Sequence, residues 1–209
     1  MSIRHSLRSS TPNSPVHRSP HCRQLRNDWW TLSLNQTELP YRSVTLDSGS
    51  QFIEQLTCGI SILDEWLTNH AVEAARARTA TTFVWIDGSA SVKAYYCLSA
   101  HALRRSETSS RIGRGILEII PAALIGKLAL HSDLQGRGLG RVLLADALGR
   151  VIRASRRGPA VRAIVVDAAT PAGQRLYAAT GFTQVPGHST RMVVRASSIE
   201  ASLAPNHRD

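Results

Sequence analysis

The sequence predicts a mixed α/β sheet flanked by helices, and three observations carry that prediction. The elements run helix, hairpin, strand, helix, strand, helix, hairpin, an order that suits neither an all-β protein nor a helical bundle. The runs "IPAALIGKLALHS" and "VRAIVVDA" are apolar without alternation, as strands covered on both faces are. Between the first of these runs and a helix stands a glycine-rich turn, "SDLQGRGLG".

The elements follow in order. Residues 1–43 are rich in Ser, Pro, Arg and His and have no apolar period, which reads as a solvated basic arm. The same composition fits an organellar transit peptide, or a translation start further down the chain. The globular pattern covers 44–196. "GISILDEWLTNHAVEAARAR" sets Ile60, Leu63, Leu67 and Val72 near helical spacing. "TFVWIDGSASVKAYYCLS" is a hairpin turning at Asp87–Gly88. Residues 102–115 read as a basic loop, followed by the first apolar strand and a helix over about 139–156. After "VRAIVVDA", Thr170 caps a helix with Pro171 at its first position, and Gly181 ends it. "FTQV" and "RMVVRA" pair as the last strands, and 197–209 is a fraying tail.

Composition narrows the function. The chain has 209 residues and no apolar run long enough for a membrane span. Cys22, Cys58 and Cys97 are odd in number and lack a CxxC spacing, which suits a reducing cytoplasm. His17, His21 and Cys22 cluster without a second ligand pair, so no metal is expected. The net charge of +10 implies an acidic partner, nucleic acid first among them. Residues 1–28 carry +4 of this and the remainder +6, so the folded part is itself basic. An arginine-rich genome produces the same excess without any such partner.

In the glycine turn, Gly136, Gly138 and Gly140 lie where a strand runs into a helix. Residues without Cβ let the chain turn tightly and let a ligand approach. The first amides of the helix lack internal partners and face the positive end of its dipole, a ready anion site. Arg137 and Arg141 can add charge-assisted hydrogen bonds. A Walker loop would end in Gly-Lys-Ser/Thr, which is absent. A dinucleotide fingerprint needs a different glycine spacing and a closer acidic residue than Asp167. What remains is Gln135-x-x-Gly138-x-Gly140.

That pattern resembles the pyrophosphate loop of the GNAT (Gcn5-related) N-acetyltransferases. "GKLAL" before it and "RLYAATGF" (175–182) after it follow the same order. "CGISILDEWL" (58–67), "AYYCLS" (94–99), "IPAALIGKLAL" (120–130) and "LQGRGLG" (134–140) resemble the GNAT toxins of bacterial toxin–antitoxin pairs, the TacT/AtaT type. The resemblance covers about residues 45–195. It implies a central mixed, mostly antiparallel twisted sheet flanked by helices. The activity it implies is acetyl transfer from acetyl-CoA to the α-amino group of an aminoacyl-tRNA, which inhibits translation.

The residues follow from the same resemblance. Leu128, Ala129 and Leu130 would bind the pantetheine arm and thioester through their backbone. Gln135, Gly136, Arg137, Gly138, Leu139, Gly140 and Arg141 would hold the pyrophosphate. Tyr177 would be the general acid for the departing thiolate; a core aromatic beside Leu176 and Phe182 is the competing description. Arg76, Arg78, Arg104, Arg105, Arg111, Arg114, Arg150, Arg153 and Arg157 suit either tRNA phosphates or solvated surface. The last three are spaced along one helix face. A cognate antitoxin encoded by a neighbouring gene and a homodimer are also implied. His131, Lys127 and Thr81 stand where these toxins more often carry Asp, Arg and Arg. These departures fall on the acceptor side, and no residue is obviously placed as a base. Two other readings use the same fold: an enzyme for small amines or protein N-termini, which an acidic acceptor pocket would favour, and a catalytically weak binding module.

Overall fold

In a computed structural model the described residues are 39–47, 56–108, 112, 115 and 118–203. Strand β1 (Arg42–Thr45) is followed by α1 (Ser61–Asn69), α2 (Ala71–Arg76), β2 (Thr81–Ile86), β3 (Val92–Arg104) and β4 (Ile119–Leu130). Then come α3 (Leu139–Arg157), β5 (Ala163–Asp167), α4 (Pro171–Ala179), β6 (Thr183–Gln184), β7 (Arg191–Arg195) and α5 (Ala196–Leu203). The seven strands form one sheet in the order β1-β2-β3-β4-β5-β7-β6, and β4–β5 is its parallel pair.

Each face of the sheet has its own cover. On one face Tyr96, Ile164, Val166, Met192 and Val194 pack against Leu143, Leu144, Leu148 and Val151 of α3. On the other, α1 and α2 bury Leu63, Leu67 and Ala71 against Val84, Ile86 and Tyr95. Further along that face, Leu103, Ile120, Val165 and Val193 form a separate cluster with Ile112. No helix among the described residues is long and apolar enough to cross a membrane.

The hairpin, the long central strand, the 139–157 helix and the capped α4 stand where the sequence predicts them. Thr170 Oγ1 accepts from the Gly173 amide at 3.1 Å, and Gly181 has φ +97°. Four expectations change. The helical stretch after residue 58 breaks at His70 into α1 and α2. β3 continues through Arg104, where the sequence reads as loop, because Leu103 is buried and pairs with Ile120. Residues 196–203 form α5, not a fraying tail, because Ala196 and Ile199 are buried on the core. The sheet starts before residue 44: Arg42 and Ser43 belong to β1, which pairs with β2. The rest of the arm and the last six residues lie outside the described part.

Candidate functional site

The site begins where β4 and β5 part. Their pairing runs from Ala122–Ala163 to Ile125–Val166 and stops there, while β4 stays paired with β3 as far as Leu130. Gly126 is the extra residue at a register shift, since Cys97 pairs with Lys127 and Leu98 with Ile125. Such a bulge strengthens local twist and turns the strand away from its neighbour. A Cβ on Gly126 would meet Cys97 Sγ at 3.3 Å, which explains a glycine inside a buried strand. Past the bulge, the β5-facing backbone edge of β4 has no strand to pair with among the described residues. The gap is a cavity of about 410 Å³. Gly126, Lys127 and Leu128 form one wall and Thr170, Leu176 and Tyr177 another.

Leu128 lines this cavity, whereas the side chains of Ala129 and Leu130 are buried in the core, so these two could offer a ligand only their backbone. The glycine turn follows a short 3-10 turn, Ser132–Leu134. Gly136 and Gly138 have φ of +75° and +79°, and Gly138 is the N-cap of α3. A Cβ on either would touch nothing within 4 Å, so here glycine serves the backbone conformation. No side chain caps α3 and no acidic residue lies in its first turn, leaving its leading amides to an outside anion. Arg137 and Arg141 are exposed beside it, and Leu139 is half-buried. A Cβ on Gly140 would sit 3.7 Å from Leu176, which brings the turn beside α4. An open, acid-free cradle with two flanking guanidiniums fits a pyrophosphate.

The Gln135 side chain is engaged within the protein. Its side-chain amide donates to the carbonyls of Cys58 at 2.8 Å and Leu130 at 3.0 Å. The residue therefore braces the turn against the end of β4 and the entry to α1. His131 is a loop residue here too: its Nδ1 accepts from the Asp133 amide at 3.3 Å.

Tyr177 is both a core aromatic and a wall of the cavity. Its ring is 5% exposed and packs at 54° to Phe182, with centroids 5.7 Å apart. It also lines the cavity, and its hydroxyl has no hydrogen-bond partner among the described residues. Burial, with the Asp167 charge second, pushes its pKa up to about 12, so the proton stays on at neutral pH.

The sequence missed the charged group beyond Tyr177. Asp167 ends β5, and Arg191 opposite it on β7 donates twice to its carboxylate, Nε to Oδ1 and Nη2 to Oδ2, both at 2.9 Å. These bonds hold the Asp167 carboxyl below the usual carboxylate range. On β3, burial and the Arg191 charge lower the pKa of His101 and keep it neutral. The Lys127 ammonium lies 5.9 Å from the Trp66 ring, which stacks on Tyr95. The pairing of Asp167 with Arg191 is a matter of strand register and left no local signal.

The "LDEWL" segment builds the facing wall. Asp64 Oδ1 accepts from the Cys58 amide at 2.9 Å, and Tyr95 donates its hydroxyl to the Leu63 carbonyl at 2.7 Å. Both contacts seat α1 so that Ile60, Ile62 and Leu63 line the cavity.

The arginines divide. Arg76, Arg78, Arg104, Arg105, Arg153 and Arg157 are exposed, though Arg104 lies 3.8 Å from Glu118. Arg111 and Arg114 lie outside the described residues. Arg150 differs from these in being half-buried, with its guanidinium engaged inside the protein. It packs over Phe83 at 4.2 Å, donates to Ser43 Oγ at 2.9 Å and lies 3.5 Å from Asp146. Asp146 is 3% exposed and accepts from Ser43 Oγ, Trp85 Nε1 and Tyr96 Oη. A buried carboxylate needs such donors and a counter-charge, and Arg150 supplies the charge.

No family model matches the chain. It is 29% identical over 140 residues to a tRNA-acetylating toxin of Mycobacterium tuberculosis (strain ATCC 25618 / H37Rv), covering 66% of this chain and 82% of the relative. It superimposes on a tyrosine-to-phenylalanine mutant of KacT with a TM-score of 0.72 at 22% identity, covering 78% of this chain and 99% of that one. AtaT complexed with acetyl-methionyl-tRNAfMet gives 0.71 at 24% identity with the same coverage. A complex of AtaTR with AcCoA gives 0.68 at 23% identity, covering 79% and 99%. The chain therefore has the GNAT acetyltransferase fold in the form that these bacterial toxins share, and it is a sequence relative of a tRNA-acetylating toxin.

Proposed function

We propose that this chain is an acetyltransferase toxin that moves the acetyl group of acetyl-CoA to the α-amino group of an aminoacyl-tRNA. The observation that carries the reading is the pairing of an open β4–β5 cleft, walled by Tyr177, with a glycine turn suited to pyrophosphate. The relative's name, and the tRNA and AcCoA complexes of AtaT and AtaTR, support the same acceptor and donor. AtaT is also solved with the C-terminus of the antitoxin AtaR, which supports a cognate antitoxin here. The site of action is the cytoplasm, where charged tRNA is found.

Bound acetyl-CoA supplies an activated acyl thioester. The turn from Gly136 to Arg141 holds its pyrophosphate, and the unpaired edge of Gly126–Leu130 offers backbone groups to the pantetheine arm. Tyr177 gives the proton on Oη to the departing thiolate and regains one, through solvent, from the attacking nitrogen, which loses a proton as it becomes an amide. No base is required of the protein: Asp167, the acidic residue of the cavity, is held by Arg191, and the amine attacks in its neutral form. Exposed arginines, Arg153 and Arg157 among them, face the tRNA backbone. A clamped carboxylate also counts against the small-amine reading, which calls for free negative charge in the acceptor pocket. Label transfer from acetyl-CoA into charged tRNA, beside deacylated tRNA and small amines, tests the proposal.

A further inference from the structure

The residues lining the cleft fall on two faces of the sheet and give it two sides of different chemistry, here called its mouths. One opens toward the glycine turn, where Leu176 packs near Gly140 and Leu128 lies on the α3 face of the sheet. The coenzyme proposed above enters there. The other opens on the α1 face. The register of β4 alternates its side chains across the sheet, so Lys127 points to the face of Tyr95 and Ala129, under α1. An acceptor has to arrive through this second mouth to meet the thioester beside Tyr177.

The walls of the second mouth are unequal. On the α1 side stand Ile60, Ile62 and Leu63. Ile62 is 66% exposed, and with Ile119 it is one of two large hydrophobic side chains so exposed among the described residues. An isoleucine at the lip of a cleft, on a helix that buries Leu63 and Leu67 and half-buries Trp66, is left for a ligand to cover. On the sheet side the charge is positive. The facing groups are Lys127, whose ammonium has the Trp66 ring beside it, Cys97 next to it on β3, the Asp167–Arg191 pair, and neutral His101. The cavity offers no free carboxylate.

We propose that this mouth is the subsite for the amino-acid side chain of the acceptor, with Ile62 as its specificity-determining residue, and that it selects aminoacyl-tRNAs whose side chain is apolar. The inference rests on the function proposed above. Covering Ile62 removes apolar surface from water, which an aliphatic side chain does and a glycyl group cannot. A cationic side chain meets Lys127 without a free anion to pair with. An anionic one would have to leave water beside the isoleucines. A pocket of this kind discriminates by about ten- to a hundredfold.

The test is acetyl transfer from labelled acetyl-CoA to tRNAs charged singly with isoleucine, methionine, glycine, aspartate or lysine, for the full chain and for Ile62→Asp and Ile62→Leu. The expected result is a kcat/KM for isoleucyl- and methionyl-tRNA at least tenfold above the other three. Ile62→Asp should erase that advantage and raise transfer to lysyl-tRNA, while Ile62→Leu keeps the ranking. Because the side chain is exposed, both variants should fold, and unchanged acetyl-CoA binding confirms it. Equal transfer to all five tRNAs, a preference for aspartyl-tRNA, or a ranking unmoved by Ile62→Asp overturns the subsite while leaving tRNA acetylation standing. No label in any charged tRNA, with coenzyme binding intact, overturns the proposed function and the subsite with it.

Discussion

Asp167 and Arg191 meet across β5 and β7 through two hydrogen bonds of 2.9 Å, which hold the carboxylate of the cleft in a bidentate ion pair. The guanidinium lowers the carboxyl's pKa, so the pairing holds above the ordinary carboxylate value of about 3.9 and is lost as pH falls through the lower folded value. It is therefore intact throughout any assay near neutrality. Asp167→Asn should leave kcat within about tenfold of the parent and keep the acidic limb of the pH profile. A lost base would instead cost about 100-fold or more and abolish that limb. Steady-state rates between pH 6 and 9 distinguish the two.

Tyr177→Phe should lower kcat by about 100- to 10,000-fold, as loss of a general acid does, with KM for acetyl-CoA little changed. Its hydroxyl has no hydrogen-bond partner among the described residues, so melting should barely move. With the phenol at about 12, the rate should rise as the acceptor amine loses its proton near pH 8 and then stay level past pH 10. The raised value also implies that folding stability declines above about pH 10, where the unfolded chain releases this proton and the folded one keeps it.

Gly138→Ala tests the anion cradle. At φ +79° an L-residue costs about 1–2 kcal/mol, although the added methyl would touch nothing. The turn can escape that strain by shifting, which moves the first amides of α3. Calorimetry with acetyl-CoA should show affinity falling by tenfold or more, a larger effect than the few degrees of melting temperature lost.

Arg150 and its neighbours on α3 should separate cleanly. Arg150→Ala leaves Asp146 buried without its counter-charge, a change worth about 3–5 kcal/mol for a fully buried pair. Because the Arg150 side chain is 28% exposed, about 2–3 kcal/mol is the better figure, or roughly 5–10 °C in Tm. Arg153→Ala and Arg157→Ala should leave Tm alone. Each should instead reduce the salt dependence of tRNA binding by about one counterion.

What the sequence disclosed was mostly local chemistry. The glycine turn, the Thr170–Pro171 cap and the Asp87–Gly88 hairpin are short signals with fixed backbone meanings, and each appears in place. The residues missed depend on contacts far along the chain. Ser43 reaches Asp146 across 103 positions, and no periodicity in a basic arm announces that bond. Arg150 had a local warning in Asp146 one helical turn earlier, but a basic stripe and a buried ion pair share that spacing. The break at His70 has neither Gly nor Pro to mark it. Helix α5 is eight residues of mostly Ser and Ala, with Ala196, Ile199 and Leu203 as its slight apolar face. The parting of β4 from β5 was visible only as Gly126, one glycine in an apolar run.

The most direct measurement of the central claim is the mass of the aminoacyl group recovered from charged tRNA after incubation with the protein and acetyl-CoA. The expected result is a gain of one acetyl group on the α-nitrogen, absent with deacylated tRNA and strongly reduced with Tyr177→Phe. An unmodified aminoacyl group, from a protein that binds acetyl-CoA normally, would contradict it.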